Sequence, residues 1–235
     1  MNSASLSAGK QLPLRFRVRE EITFDDYLSG PNCEAVDLLH CGTEPYAYLW
    51  GAVGVGKSHL LQAACRTREA AAYLPLGELV DHDPGVLDGL ENLDLVCLDD
   101  LERVAGNETW ERALCDLYNR LREAGVLLRA AGVVAPTALR LTLADLVSRL
   151  GWGPVYHLQA LNDPEKATAL RLRARSRGMD LPEEVARYLL RHQPRDNASL
   201  FKLLDYLDQA SLAAQRRLTI PFVRTILAAC HAFHF

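Results

Sequence analysis

GAVGVGKS, residues 51 to 58, decides how the rest of the chain is read. It satisfies GxxxxGK[ST] at every constrained position. It also stands between an apolar run, YAYLWG (46–51), and a helix-like stretch, SHLLQAAC (58–65). A glycine-rich turn from strand to helix aims backbone N–H groups at a phosphate chain, and the helix N-terminus adds its dipole. Gly51, Gly54, Val55, Gly56 and His59 belong to this cradle, Lys57 is placed to reach the β- and γ-phosphates, and Ser58 is placed to ligate Mg²⁺. A mere connecting turn would need neither the lysine nor the serine. The expected cofactor is ADP or ATP with Mg²⁺.

A nucleotide site needs an acidic counterpart, and LDLVCLDD (93–100) supplies it as an apolar strand ending in Asp99 and Asp100. Asp99 is the metal-side candidate, because a carboxylate at that strand end can hold the Mg²⁺ shell. Three more runs read as strands: AAYLPL (71–76), VLLRAAGV (126–133) and VYHLQAL (155–161). All are continuously apolar, as parallel strands covered on both faces should be. Helical stretches separate them. In NETWERALCDLYNRLREAG (107–125), Trp110, Leu114, Leu117 and Leu121 share one face and Gly125 marks the stop. The expected fold is α/β, a five-stranded parallel sheet.

After Leu161 the strand pattern ends. Asp163 and Pro164 form a helix start, with Asp163 as the cap, and Gly178 is the stop. LPEEVARYLLRH, DNASLFKLLDYLDQASLAAQ and IPFVRTILAAC follow, with Leu200, Leu203, Leu204 and Leu207 as an apolar stripe. The expected organisation is a leader over 1–20, an α/β domain over 21–162 and a small helical domain over 163–235.

Composition narrows the class. With 235 residues, 49% of them apolar and 24% charged, the chain can bury a substantial core. No window approaches the roughly 18 apolar residues that a membrane span requires, and no export signal opens the chain, so the expected compartment is cytoplasmic. A net charge of −4 argues against coating nucleic acid by bulk charge. Cys33, Cys41, Cys65, Cys97, Cys115 and Cys230 show no metal-binding or disulfide spacing. The tail CHAFHF, with Cys230, His231 and His234, reads as a terminal helix rather than a metal site. RLRARSRG (171–178) places Arg173 and Arg177 on one helical face, either solvated or in contact with DNA or partner acids.

Phosphate loop, acidic strand end and helical C-terminus together resemble an AAA+ module. ITFDDYLSGPN (22–32) and SRLGWG (148–153) resemble segments of the replication initiator DnaA. The leader, DLYNRL (116–121), SRLGWG and RRLTIPFV (216–223) are similar to the Hda family, DnaA-homologous inactivators of DnaA. The resemblance implies the following. Arg149 of SRLGWG is an arginine finger acting in trans on ATP held by DnaA. QLPLRF (11–16) binds the β sliding clamp of the DNA polymerase through Gln11, Leu12, Leu14 and Phe16, so DNA is met indirectly through the clamp or through the arginine-rich lid. A homodimer or a nucleotide-dependent oligomer fits the same family. Asp100 occupies the position where hydrolysing relatives carry a catalytic acid, commonly Glu. The polar sensor positions read Ala131, Gly132 and Val133 in the fourth strand and Ala198 in the lid, with Arg195 close by. These departures predict a protein that holds nucleotide and turns it over poorly. The alternative is a DnaA-related ATPase that loads a helicase or remodels nucleoprotein by its own turnover. In isolation QLPLRF reads sooner as a chance match or an edge strand than as a binding peptide; before such a module it reads as a tether.

Overall fold

A computed structural model describes residues 22–192 and 197–232. The five expected strands form one parallel sheet: β1 Tyr46–Trp50, β2 Ala71–Pro75, β3 Leu95–Asp99, β4 Leu127–Gly132 and β5 Val155–His157, in the order β2-β3-β4-β1-β5. Their apolar runs are continuous because helices cover both faces. Alternate residues of β3 divide between the two sides. Val96 and Leu98 pack under α4 (Glu108–Ala124), whose Trp110, Leu114, Leu117 and Leu121 are all buried. Leu95 and Cys97 pack under α1 (Cys33–Cys41) and α2 (Lys57–Arg66), against Leu60 and Leu61. Gly125 ends α4 in the left-handed conformation, as its position in the sequence predicts.

The fifth strand is shorter than VYHLQAL suggests. Leu158 still donates to the carbonyl of Trp50, at 2.7 Å, but Gln159 turns away to pair with Asn32. A short α3 (Leu76–Leu79) follows β2, and α5 (Ala144–Leu150) precedes β5.

The C-terminal part is helical: α6 Asp163–Ser176, α7 Glu183–His192, α8 Asn197–Ala214 and α9 Ile220–Ala232. It has its own core, in which Leu170, Val185, Leu189, Leu200, Leu204, Leu207 and Val223 are buried and Leu203 packs at the margin. The cap of α6 is Asn162, not Asp163. Its Oδ1 accepts from Glu165 N at 2.9 Å and Glu165 Oε2 accepts from Asn162 N at 2.8 Å, a reciprocal box that only a residue three before the glutamate can make.

The arginines of α6 also differ from a solvated face. Arg173 is turned inward, its side chain 9% exposed, and pairs with Asp26; Arg177 pairs with Asp205 of α8. Arg171 and Arg175 keep the outer face. The segment QLPLRF and Arg195 lie outside the described residues, as do the side chains of Ala198, Cys230 and His231 and all of His234. Among the described residues no helix is long and apolar enough to cross a membrane, and no His, Cys, Asp and Glu cluster could hold a metal.

Candidate functional site

The loop between β1 and α2 has the conformation its glycines permit. Gly54 and Gly56 have φ of 84° and 102°, and a Cβ on Gly56 would stand 2.5 Å from the Tyr27 ring. Gly56 caps α2 with no side-chain hydrogen bond, so its own side offers nothing to the amides of the first turn. Lys57 is buried and folds back on the loop, donating from Nζ to Gly51 O at 2.8 Å and Ala52 O at 3.1 Å. Burial pulls its pKa down, while the charges of Asp99, Glu102 and Asp100 push it up. A cationic nitrogen beside a helix N-terminus is suited to a phosphate chain.

Asp99 lies fully buried at the end of β3. Its Oδ2 accepts from the Tyr73 hydroxyl at 2.7 Å and its Oδ1 from Asp100 N at 2.9 Å. The side chains of Ser58 and Gln62 stand near the same hydroxyl and oppose the rise that burial and Asp99 impose on it. Asp100 adopts a left-handed backbone (φ 59°). Burial, then the charges of Asp99 and Glu102, raise its carboxyl from 3.8 to about 6.

Glu102 is a member of this acidic group that the sequence reading passes over. It reaches across from the turn after β3, and its Oε2 accepts from Val133 N at 3.1 Å. An acid thereby meets the end of β4, which carries no polar side chain of its own there. Ala131 is buried, and the Tyr48 hydroxyl, which donates to Val134 O at 2.9 Å, occupies the space a side chain on Gly132 would need.

Residues 23–32 close over the loop. Tyr27 donates to Val55 O at 3.2 Å, and Asn32 Nδ2 donates to Tyr27 Oη at 3.2 Å and to Gln159 O at 3.0 Å. Gln159 N returns a bond to Asn32 Oδ1 at 2.8 Å. His59 Nε2 meets Thr23 O at 2.8 Å, and burial lowers its pKa, which suits a neutral ring donating to a carbonyl. Asp26 completes the strap through Arg173 of α6, at 3.6 Å. Asp26, Tyr27 and Asn32 all fall in ITFDDYLSGPN, which the sequence marked only as a resemblance with no role for any single residue, and Arg173 was read only as one of a basic helical face.

Arg149 lies elsewhere. It is in the last turn of α5, and its side chain is 13% exposed. Nε and Nη2 donate to Asp145 Oδ2 at 2.9 and 2.6 Å, and Nη1 donates to Cys115 O at 3.2 Å and to Asn119 Oδ1. Its guanidinium also stands 5.3 Å from the ring of Trp152, which is 41% exposed and has Arg122 at 5.2 Å. Trp152 meets Tyr46, the first residue of β1, whereas the phosphate loop leaves the last. Four steps of about 3.3 Å put roughly 13 Å of strand between those two ends. The structure thus brings Gly51, Gly54, Val55, Gly56, Lys57, Ser58, His59, Asp99 and Asp100 together and leaves Arg149 apart.

Residues 163–227 match the lid domain of the Hda family. The chain superposes on domain III of the replication initiation protein DnaA from Thermotoga maritima with a TM-score of 0.75 and 20% identity, over 90% of this chain and 97% of that one. AMPPCP-bound DnaA from Aquifex aeolicus gives 0.64 at 20% identity, over 81% and 66%. The RuvB Holliday junction branch migration motor from Thermotoga maritima gives 0.65 at 14% identity, over 90% and 72%.

Proposed function

Taking the chain as an Hda/DnaA-like AAA+ protein, we propose that it is a negative regulator of replication initiation that drives hydrolysis of ATP held by DnaA. In this reading the leader over 1–20 presents QLPLRF, and Gln11, Leu12, Leu14 and Phe16 dock on the DNA-loaded polymerase sliding clamp. An extended peptide whose hydrophobes fill a partner's groove is a common recognition mode. Residues 21–162 hold nucleotide, 163–235 form the lid, and the protein works in the cytoplasm.

The observation that carries the proposal is the separation of Arg149 from its own phosphate loop by the length of β1. A guanidinium so placed cannot reach the chain's own nucleotide and is presented to a neighbour's. Charge neutralisation by such a donated arginine accelerates phosphoryl transfer by roughly 10³–10⁵.

ADP or ATP with Mg²⁺ fits the chain's own site. Gly54 to Lys57 would cradle the phosphates, Lys57 Nζ, which meets the carbonyls of Gly51 and Ala52, would supply their counter-charge, and Ser58 and Asp99 would hold the metal shell, with Tyr73 fixing Asp99. Asp100 in place of a glutamate, and alanine, glycine and valine at 131–133, leave the site poor at turnover.

The test is hydrolysis of DnaA-bound ATP in the presence of DNA-loaded clamp. The parent chain is expected to accelerate it, and Arg149→Ala to return the rate to that of DnaA alone. Equal stimulation by both would sink the finger assignment. Fast turnover by the chain alone, together with binding to replicative helicase, would favour the loader.

A further inference from the structure

We infer that Glu111 and Asn119 of α4 are positioning residues for Arg149, with α4 serving as the rail along which α5 is fixed at both ends. The inference rests on the reading of Arg149 as the residue donated to a partner's nucleotide.

Glu111, Cys115 and Asn119 follow one another at intervals of four, so they form one stripe along α4. Its first member is a glutamate with no exposed surface. Glu111 Oε2 accepts from Thr142 N and Leu143 N, both at 2.8 Å, and from Thr142 Oγ1 at 2.7 Å. Oε1 accepts from Gly106 N at 2.7 Å and Thr142 N at 3.1 Å. Leu143 precedes the first residue of α5 and has no side chain able to cap it. The carboxylate of Glu111 supplies that cap from the neighbouring helix. Burial pushes the Glu111 carboxyl up, but these hydrogen bonds outweigh it and hold the group below its usual range.

The last member of the stripe secures the other end. Arg149 Nη1 places its hydrogens on Asn119 Oδ1 and Cys115 O, leaving only the opposite edge of the guanidinium for Asp145. The eight steps from Glu111 to Asn119 cover about 12 Å and the six from Leu143 to Arg149 about 9 Å at 1.5 Å per residue, so one stripe of α4 is long enough to meet both ends of α5. Fixing a helix at its start and its last turn fixes the arginine's direction. Asp145 is carried on α5 itself and moves with it, so it cannot set that direction relative to the sheet.

The experiment measures stimulated hydrolysis of DnaA-bound ATP on loaded clamp as a function of chain concentration, with Asn119→Ala, Glu111→Asp, Arg149→Ala and Arg112→Ala. Asn119 is exposed and its truncation leaves the core intact. Asn119→Ala is expected to lower the maximal stimulated rate by about ten-fold, since misplacement of a reacting group by an ångström costs up to ~10²-fold. The half-saturating concentration and the melting temperature should stay at parent values. Glu111→Asp keeps the charge and withdraws the anchor, and should lower the same maximal rate; should it fail to fold, Asn119→Ala decides alone. Arg112, on another face of α4 and paired only with Glu108 at 3.4 Å, is the control and should change neither quantity. If Arg149→Ala abolishes stimulation while Asn119→Ala matches the parent, the rail is wrong and the donated arginine stands. If Asn119→Ala raises the half-saturating concentration and spares the maximal rate, Asn119 is a docking contact and the inference is overturned. If Arg149→Ala itself stimulates normally, the reading beneath the inference has failed.

Discussion

Lys57 shows how a residue can hold a site open before the site is used. Its ammonium satisfies the carbonyls of Gly51 and Ala52, which would otherwise converge unpaired on the loop. Replacing it with methionine removes both that support and the charge that meets phosphate. Lys57→Met should abolish binding of a fluorescent ADP analogue and the rise in melting temperature that ADP gives the parent. Asp100 makes the opposite kind of demand. Its carboxyl is raised from 3.8 to about 6 by burial and by two neighbouring carboxylates. The folded state therefore holds the proton more tightly than the unfolded chain, and stability is lost as pH rises from about 4 through about 6. Asn tolerates the left-handed backbone that Asp100 adopts. Asp100→Asn should accordingly melt higher than the parent at pH 7.5, with the difference vanishing near pH 4; a difference independent of pH would show that charge is not the cause. At this scale the sequence was legible wherever chemistry is contiguous. The loop residues announce themselves because a phosphate is gripped by consecutive amides. Glu102 and Tyr73 do not, because their roles depend on strand order: β2 beside β3 brings Tyr73 to Asp99, and β4 beside β3 brings Val133 to Glu102.

Among the elements, α6 has the most to lose from one substitution. Its start was readable from Asp163 and Pro164, off by the single residue that makes the box. Its inner face was not readable, since an arginine-rich helix looks solvated until a buried acid is known to face it. Asp26 is that acid. It is 4% exposed, accepts from Thr23 Oγ1 at 3.0 Å and pairs with Arg173. Removing one member of a buried pair leaves the other charged and unmatched, at a cost of about 3–5 kcal/mol. Arg173→Met should reduce stability in urea unfolding by that order, while Arg175→Met on the outer face should cost little. Because Arg173 and Asp26 join the lid to the strap over the phosphate loop, Arg173→Met should also weaken ADP binding. An unchanged affinity would mean that lid and strap are energetically independent.

At the scale of the whole molecule, two cores are built from one chain, and their division follows a change of period in the apolar residues from continuous runs to a helical stripe. That change is a property of sequence alone, which explains why sheet and bundle were both foreseen. The parallel order of the strands has a further consequence. The loop after β1 lies at one end of that strand and Arg149 beside the other, so on the proposed function each molecule would carry a receptor at one pole and a donor at the opposite pole. A contact that joins Arg149 of one molecule to the phosphate loop of another brings together unlike surfaces. Two molecules laid antiparallel about a two-fold axis would satisfy both donors and both receptors at once, whereas molecules stacked head to tail would leave one receptor and one donor vacant at the outer ends. Only the stacked arrangement is directional, and it stops where a ring closes or a partner of different shape caps the row.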